Sequence, residues 1–94
     1  MPYVLIIHEV ADYLQWKRIF DDAADLRREA GERGYQVLQS DLHPHKVVHF
    51  SSWTSLEDAK RFFESPLLIS IRAKAGVQSP EFLYLEQLDA GILQ

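Results

Sequence analysis

The chain has 94 residues, 47% of them hydrophobic and 26% charged, with a formal net charge of −4 and no cysteine. That is one domain over residues 1–94 with a single modest core, and it leaves no disulfide framework, thiolate nucleophile or sulfur-built zinc site. The acidic balance argues against a nucleic-acid partner, and the run Tyr3–Ile7 is too short to cross a bilayer and has no basic leader before it, so a cytoplasmic domain without a membrane partner is expected.

Tyr3 to Val10 reads as a strand rich in branched aliphatic residues. Tyr3, Leu5 and Ile7 point one way and Val4, Ile6 and Val10 the other, so both faces need cover. Asp12 is a helix N-cap with Gln15 at the return position of a capping box. Tyr13, Trp16, Phe20, Ala23, Ala24 and Ala30 follow at helical spacing, with Ile19 and Leu26 widening the stripe. Lys17 with Asp21 and Arg18 with Asp22 make opposite-charge pairs one turn apart, and Gly31 ends the helix.

A second strand is predicted over Tyr35–Ser40, a turn around Pro44, and a third strand over Val47–Trp53. Thr54 with Glu57 predicts the start of the next helix, whose buried side is Leu56, Ala59, Phe62 and Phe63. Ser65-Pro66 restarts it, and Leu68, Ile71 and Ala75 carry it to Gly76. The fourth strand is predicted over Glu81–Leu88, after Pro80.

The order β-α-β-β-α-β is the split βαβ, or ferredoxin-like, arrangement: an α+β fold with a four-stranded antiparallel sheet, first and third strands central and helices on one face. The other face is then bare, and a homodimer pressing two sheets together would cover it.

Asp12-Tyr-Leu-Gln-Trp-Lys-Arg-Ile-Phe-Asp21, Trp53-Thr-Ser-Leu-Glu-Asp-Ala59, Phe62-Phe-Glu-Ser-Pro66 and Ala75-Gly-Val77 together resemble the antibiotic biosynthesis monooxygenase-like proteins of the dimeric α/β-barrel superfamily. The resemblance covers nearly the whole chain, through caps and packing residues. It implies a homodimeric barrel with a ligand pocket between sheet and helices in each subunit. It also implies small apolar or aromatic ligands and, in the oxygenases, deprotonation of a phenol-like substrate whose anion reacts with oxygen without flavin or metal. Haem-degrading relatives carry a ligand histidine in the second half of the chain, whereas no histidine follows His49 here. Isomerase-type relatives carry a glutamate where this chain has Ser51.

Imidazole takes or gives a proton near neutral pH. His8, in an aliphatic strand at a position resembling a polar pocket site of the family, is the expected base, and His49 on the neighbouring third strand its partner. A structural reading stands beside it, with both rings simply buried and hydrogen-bonded. His43 and His45 flank Pro44 in a turn, where nothing makes them converge on a metal. Trp16, Phe20, Trp53, Phe63 and Tyr84 are the aromatic set for a pocket, Trp16 and Trp53 foremost. Lys17, Arg18, Arg27 and Arg28 read as a solvated, salt-bridged face.

The function expected is an enzyme acting without cofactor on a small hydrophobic, aromatic molecule by oxygenation, cyclisation or isomerisation. The alternative is a ligand-binding or structural dimer without chemistry. A helix–sheet cavity of roughly 300 Å³ or more, with an imidazole on its wall, separates the two.

Overall fold

A computed structural model describes residues 1–94. Its strands are β1 (Pro2–Val10), β2 (Glu32–Gln39), β3 (Lys46–Trp53) and β4 (Val77–Glu86). The helices are α1 (Tyr13–Asp22), α2 (Ala24–Ala30), α3 (Leu56–Phe63) and α4 (Pro66–Lys74). The sheet order is β2-β3-β1-β4 with every neighbour antiparallel, the ferredoxin-like α+β topology expected from the order of elements.

The helix starts are set by side-chain caps. The Asp12 carboxylate accepts the Leu14 and Gln15 N–H groups at 3.0 and 3.3 Å. Gln15 does not close a capping box; its Nε2 donates to the Lys74 carbonyl at 2.9 Å and ties the start of α1 to the end of α4. Thr54 is not the cap of α3. Its N–H still reaches the Gly31 carbonyl at 3.0 Å, so the helix begins one residue later, with Ser55 accepting from Asp58 N–H. Ser65 caps α4 ahead of Pro66, as its sequence order predicts.

The first helical segment is broken rather than continuous. Ala23 (φ −90°, ψ 6°) leaves helical geometry and separates α1 from α2. Of the two predicted charge pairs on it, Lys17–Asp21 forms at 2.6 Å and Arg18–Asp22 does not. Two strands start earlier than predicted. β2 begins at Glu32 because Gly31, at φ 132°, turns the chain straight into the sheet. β4 begins at Val77 and carries Pro80 within it, which an edge strand tolerates because no neighbour needs the missing N–H.

Both of these strands are bulged. In β2 the partners step from Glu32↔Trp53 to Gly34↔Ser52, leaving Arg33 extra. In β4 they step from Glu81 opposite Ile7 to Gln78 opposite Glu9, leaving Ser79 and Pro80 beside His8.

The central strands fix what faces the helices. Ile6 pairs with His49 and His8 with Val47, so Val4, Ile6, His8 and Val10 share the helix side with Val47, His49, Ser51 and Trp53, all buried. The apolar core there is two clusters. One joins Val4, Ile6 and Trp53 to Phe62, Phe63 and Leu68; the other joins Val10 and Val47 to Trp16, Phe20 and Ala75. On the far face, Leu5, Ile7, Val48 and Phe50 are only half-buried and Leu83 and Leu85 are exposed. Tyr3 stacks on Phe50 there at 5.2 Å. The first strand is therefore apolar on both sides, as read from its sequence.

Candidate functional site

The two core clusters do not quite meet. Between them lies a cavity of about 70 Å³ lined chiefly by apolar side chains, among them Ile6, Trp16, Phe20, Phe63 and Ile71, with His8, His49, Arg27 and Arg72 as its polar groups. Its volume is well under the 300 Å³ expected of a pocket that encloses a whole substrate. It is also about half the ~150 Å³ cavity that admits a benzene ring.

His8 and His49 reach this cavity from adjacent strands, two residue pairs apart along the ladder. Strand parity suffices to bring them to one face. Their surroundings differ sharply. His49 Nε2 lies 2.8 Å from Glu32 Oε2, and the other oxygen of that carboxylate accepts from Arg27 Nε at 2.7 Å. Arg27 also donates to the Phe20 carbonyl and lays its guanidinium over the Phe20 ring, 3.7 Å from the centroid. Phe20 in turn meets His49 edge-on at 4.9 Å. All three ionisable groups are buried: Arg27 is 4%, Glu32 6% and His49 4% exposed.

His8 has no such support. It is 4% exposed, neither ring nitrogen has a hydrogen-bond partner, and Trp16 tilts against its ring at 5.2 Å. Burial, then the neighbouring His49 and, more weakly, Arg72 push its pKa down to about 4, with the Ile6 backbone opposing. His8 is therefore a neutral imidazole at pH 7, offering one donor and one acceptor to the cavity. For Glu32, burial alone would raise the pKa, but the hydrogen bond with His49, then the hydrogen bond and charge of Arg27, outweigh it and hold the carboxyl below its ordinary value.

Of the predicted aromatic set, Trp16, Phe20 and Phe63 line the cavity and Trp53 and Tyr84 do not. Trp53 is fully buried at the end of β3, covered by Phe62 and Phe63 at 5.6 and 5.3 Å, with its indole N–H donated to Ser51 Oγ at 2.8 Å. Tyr84, on the edge strand, packs against the outside of the core with Lys60 over its ring. His43 and His45 are exposed in the β2–β3 turn, and no group of three or more His, Cys, Asp or Glu converges as a metal site.

Three participants escape the sequence reading. Arg27 is not on a solvated face: it is buried with Glu32 and His49. Its signal was spacing, since Trp16, Phe20, Ala23 and Arg27 fall on one helical stripe. Arg72 lies beside the cavity and donates to the Phe63 carbonyl at 2.9 Å. Glu32 has no periodic signature, because a bulge presents it.

The family model for antibiotic biosynthesis monooxygenase matches residues 14–74, most of the helix–sheet unit that carries this cavity. The chain belongs to that family. Solved structures of similar fold include SnoaB, a cofactor-independent oxygenase from Streptomyces nogalater. It has a TM-score of 0.74 and 12% identity, over 95% of this chain and 93% of that one. A family protein from Deinococcus radiodurans superposes with a TM-score of 0.71 and 14% identity, over 100% and 99% of the two chains. Rv0793 from Mycobacterium tuberculosis does so with 0.67 and 19%, over 98% and 100%. At these identities the likeness is one of fold. No curated protein sequence matches the chain significantly. No helix of the chain is long and apolar enough to cross a membrane.

The buried neutral imidazole of His8 sets a pH dependence of stability. Its folded pKa of about 4 lies below the ordinary 6.5. Between those values the unfolded chain takes up a proton that the folded chain refuses, so stability falls as pH drops through this window. The loss is about 3 kcal/mol. Urea unfolding at pH 7 and pH 4.5 should show wild type losing clearly more stability than His8→Leu; equal losses would contradict a buried, unpaired imidazole.

Proposed function

We propose that the cavity is the ligand site of a small-molecule oxygenase, with His49 as the base. The observation that carries this reading is the pairing of His49 with a buried carboxylate on one ring nitrogen while the ring also lines an apolar cavity. A base oriented by a second group is the arrangement proton abstraction requires. The sequence points to His8 as base and His49 as its partner; the surroundings favour the opposite assignment. An imidazole with a pKa of about 4 is a weak base, but its unpartnered nitrogens suit a hydrogen bond to a substrate oxygen. Trp16, Phe20 and Phe63 supply flat apolar walls for a ring.

In the reaction we envisage, His49 takes a proton from an acidified ring methylene, and the resulting anion reacts directly with oxygen. The CH₂ becomes C=O and the second oxygen atom leaves as water, so one O₂ is consumed per substrate and no cofactor is consumed. The fold likeness to SnoaB supports this class of chemistry, and family membership supports a small-molecule ligand. The volume of about 70 Å³ favours a second reading, a binding or structural protein without chemistry.

Oxygen uptake with anthrone-like substrates, which carry such a methylene, tests the proposal. Wild type should consume oxygen, and His49→Ala should lower the rate by about 10²-fold or more, with a smaller loss for His8→Ala. Unchanged rates in both variants would remove the proposed base, and no uptake in wild type would leave the binding reading.

We also propose that the half-exposed apolar face around Leu5, Phe50, Leu83 and Leu85 is covered by a second copy of the chain, sheet against sheet, in a homodimer. Light scattering at micromolar concentration should give twice the 10.9 kDa chain mass; the mass of a single chain would contradict it.

A further inference from the structure

Burying an arginine and a glutamate is expensive, and a well-packed apolar pair in their place is commonly neutral or stabilising. A domain of 94 residues has little stability to spare, so the Arg27–Glu32 pair calls for a reason other than holding the fold together. The backbone supplies one. On β2 the residues paired opposite Ser51 and His49 are Tyr35 and Val37, so odd-numbered positions face the helices. Continued without interruption, that alternation would turn Arg33 inward and Glu32 outward. The extra residue at the bulge reverses it: Glu32 is buried and Arg33 exposed. Bulges of this kind re-aim a side chain, and here the side chain delivered is a carboxylate onto His49.

The hydrogen-bond inventory then fixes the imidazole. An ionised carboxylate only accepts, so the nitrogen facing Glu32 Oε2 must carry the proton. That nitrogen is Nε2. Nδ1 forms no hydrogen bond within the chain and is left with the lone pair. Arg27, which donates to Glu32 Oε1, is itself anchored by the Phe20 carbonyl and ring. The other titratable or charged groups around this cluster are His8 from β1, Tyr35 from β2 and Arg72 from α4. The cavity-facing residues of α1 and α3 (Trp16, Ile19, Phe20, Phe62 and Phe63) carry no charge.

We propose that Arg27 and Glu32 are positioning residues of this site: Glu32 holds His49 with its proton on Nε2 and its Nδ1 open to the cavity, and Arg27 holds Glu32 charged and in place. The proposal rests on His49 being the proton acceptor of the site. Proton transfer from a ligand to Nδ1 then produces an imidazolium whose charge the Glu32 carboxylate already faces. Neither Arg27 nor Glu32 needs to touch the ligand.

Two measurements decide it. In ¹⁵N-labelled wild type, long-range ¹H–¹⁵N correlations should show neutral His49 protonated on Nε2; protonation on Nδ1 would overturn the proposal without any variant being made. The second uses 4-nitrophenol, whose absorbance reports its own ionisation when bound. Arg27→Met combined with Glu32→Gln removes both charges together and so leaves no unpaired ion in the core. In that double variant the pH midpoint for ionisation of the bound phenol should rise by about one unit or more. A folded double variant with an unchanged midpoint would mean that the pair is only structural. If wild type fails to bind 4-nitrophenol, it is the reading of the cavity that fails, and the His49 tautomer still decides the positioning role.

Discussion

The carboxylate of Glu32 is the constraint around which the helix side of this molecule is arranged. An anion buried this deeply must be neutralised, and its two oxygens are divided between Arg27 and His49 at 2.7 and 2.8 Å. Those two contacts join α2, β2 and β3, and through the Phe20 carbonyl and ring they reach α1. Removing one partner from such an arrangement costs about 3–5 kcal/mol. Domains of this length have roughly 5–14 kcal/mol in total. The cluster is thus coupled to the fold itself, and the orientation of His49 is as secure as the fold is.

The same economy explains the split between the two histidines. Glu32 is committed to Arg27 and His49, so nothing remains for His8, which the adjacent strand places on the same face. One imidazole is supported and the other is stranded. A chain too short to cover both faces of its sheet nevertheless leaves two ring nitrogens without partners inside its core. An unsatisfied buried polar group costs about 1–3 kcal/mol, and a ligand that bonded to it would recover part of that cost. The two bulges fit this pattern, one presenting Glu32 to His49 and the other lying beside His8.

Much of the fold is legible in the residues because local signals agree with one another. Asp12 and Ser65 cap the helices they precede, the aliphatic run of β1 alternates between two apolar faces, and the order of elements leaves the ferredoxin-like topology. The placement of His8 and His49 on one face follows from parity once the register is fixed. What was not legible arises where the chain departs from regular geometry. Ala23 interrupts a stripe that reads as one helix, and the Arg33 bulge delivers Glu32 against the alternation of its strand. Arg27 lies on the stripe of Trp16, Phe20 and Ala23, but its charge is the signature of a solvated face. Trp53 has the right parity but the wrong depth, lying beyond Phe62 and Phe63. Tyr84 belongs to an edge strand whose inner side chains meet the rim of the core.

A crystal structure of the protein soaked with phenol tests most directly whether this cluster organises a ligand site. The phenol oxygen should lie within hydrogen-bonding distance of His49 Nδ1, with the ring against Trp16, Phe20 and Phe63, the cavity widened from its about 70 Å³ to take it, and the Glu32–His49 contact retained. Phenol bound only on the outer sheet face, or a His49 ring turned so that Nδ1 faces Glu32, would contradict it.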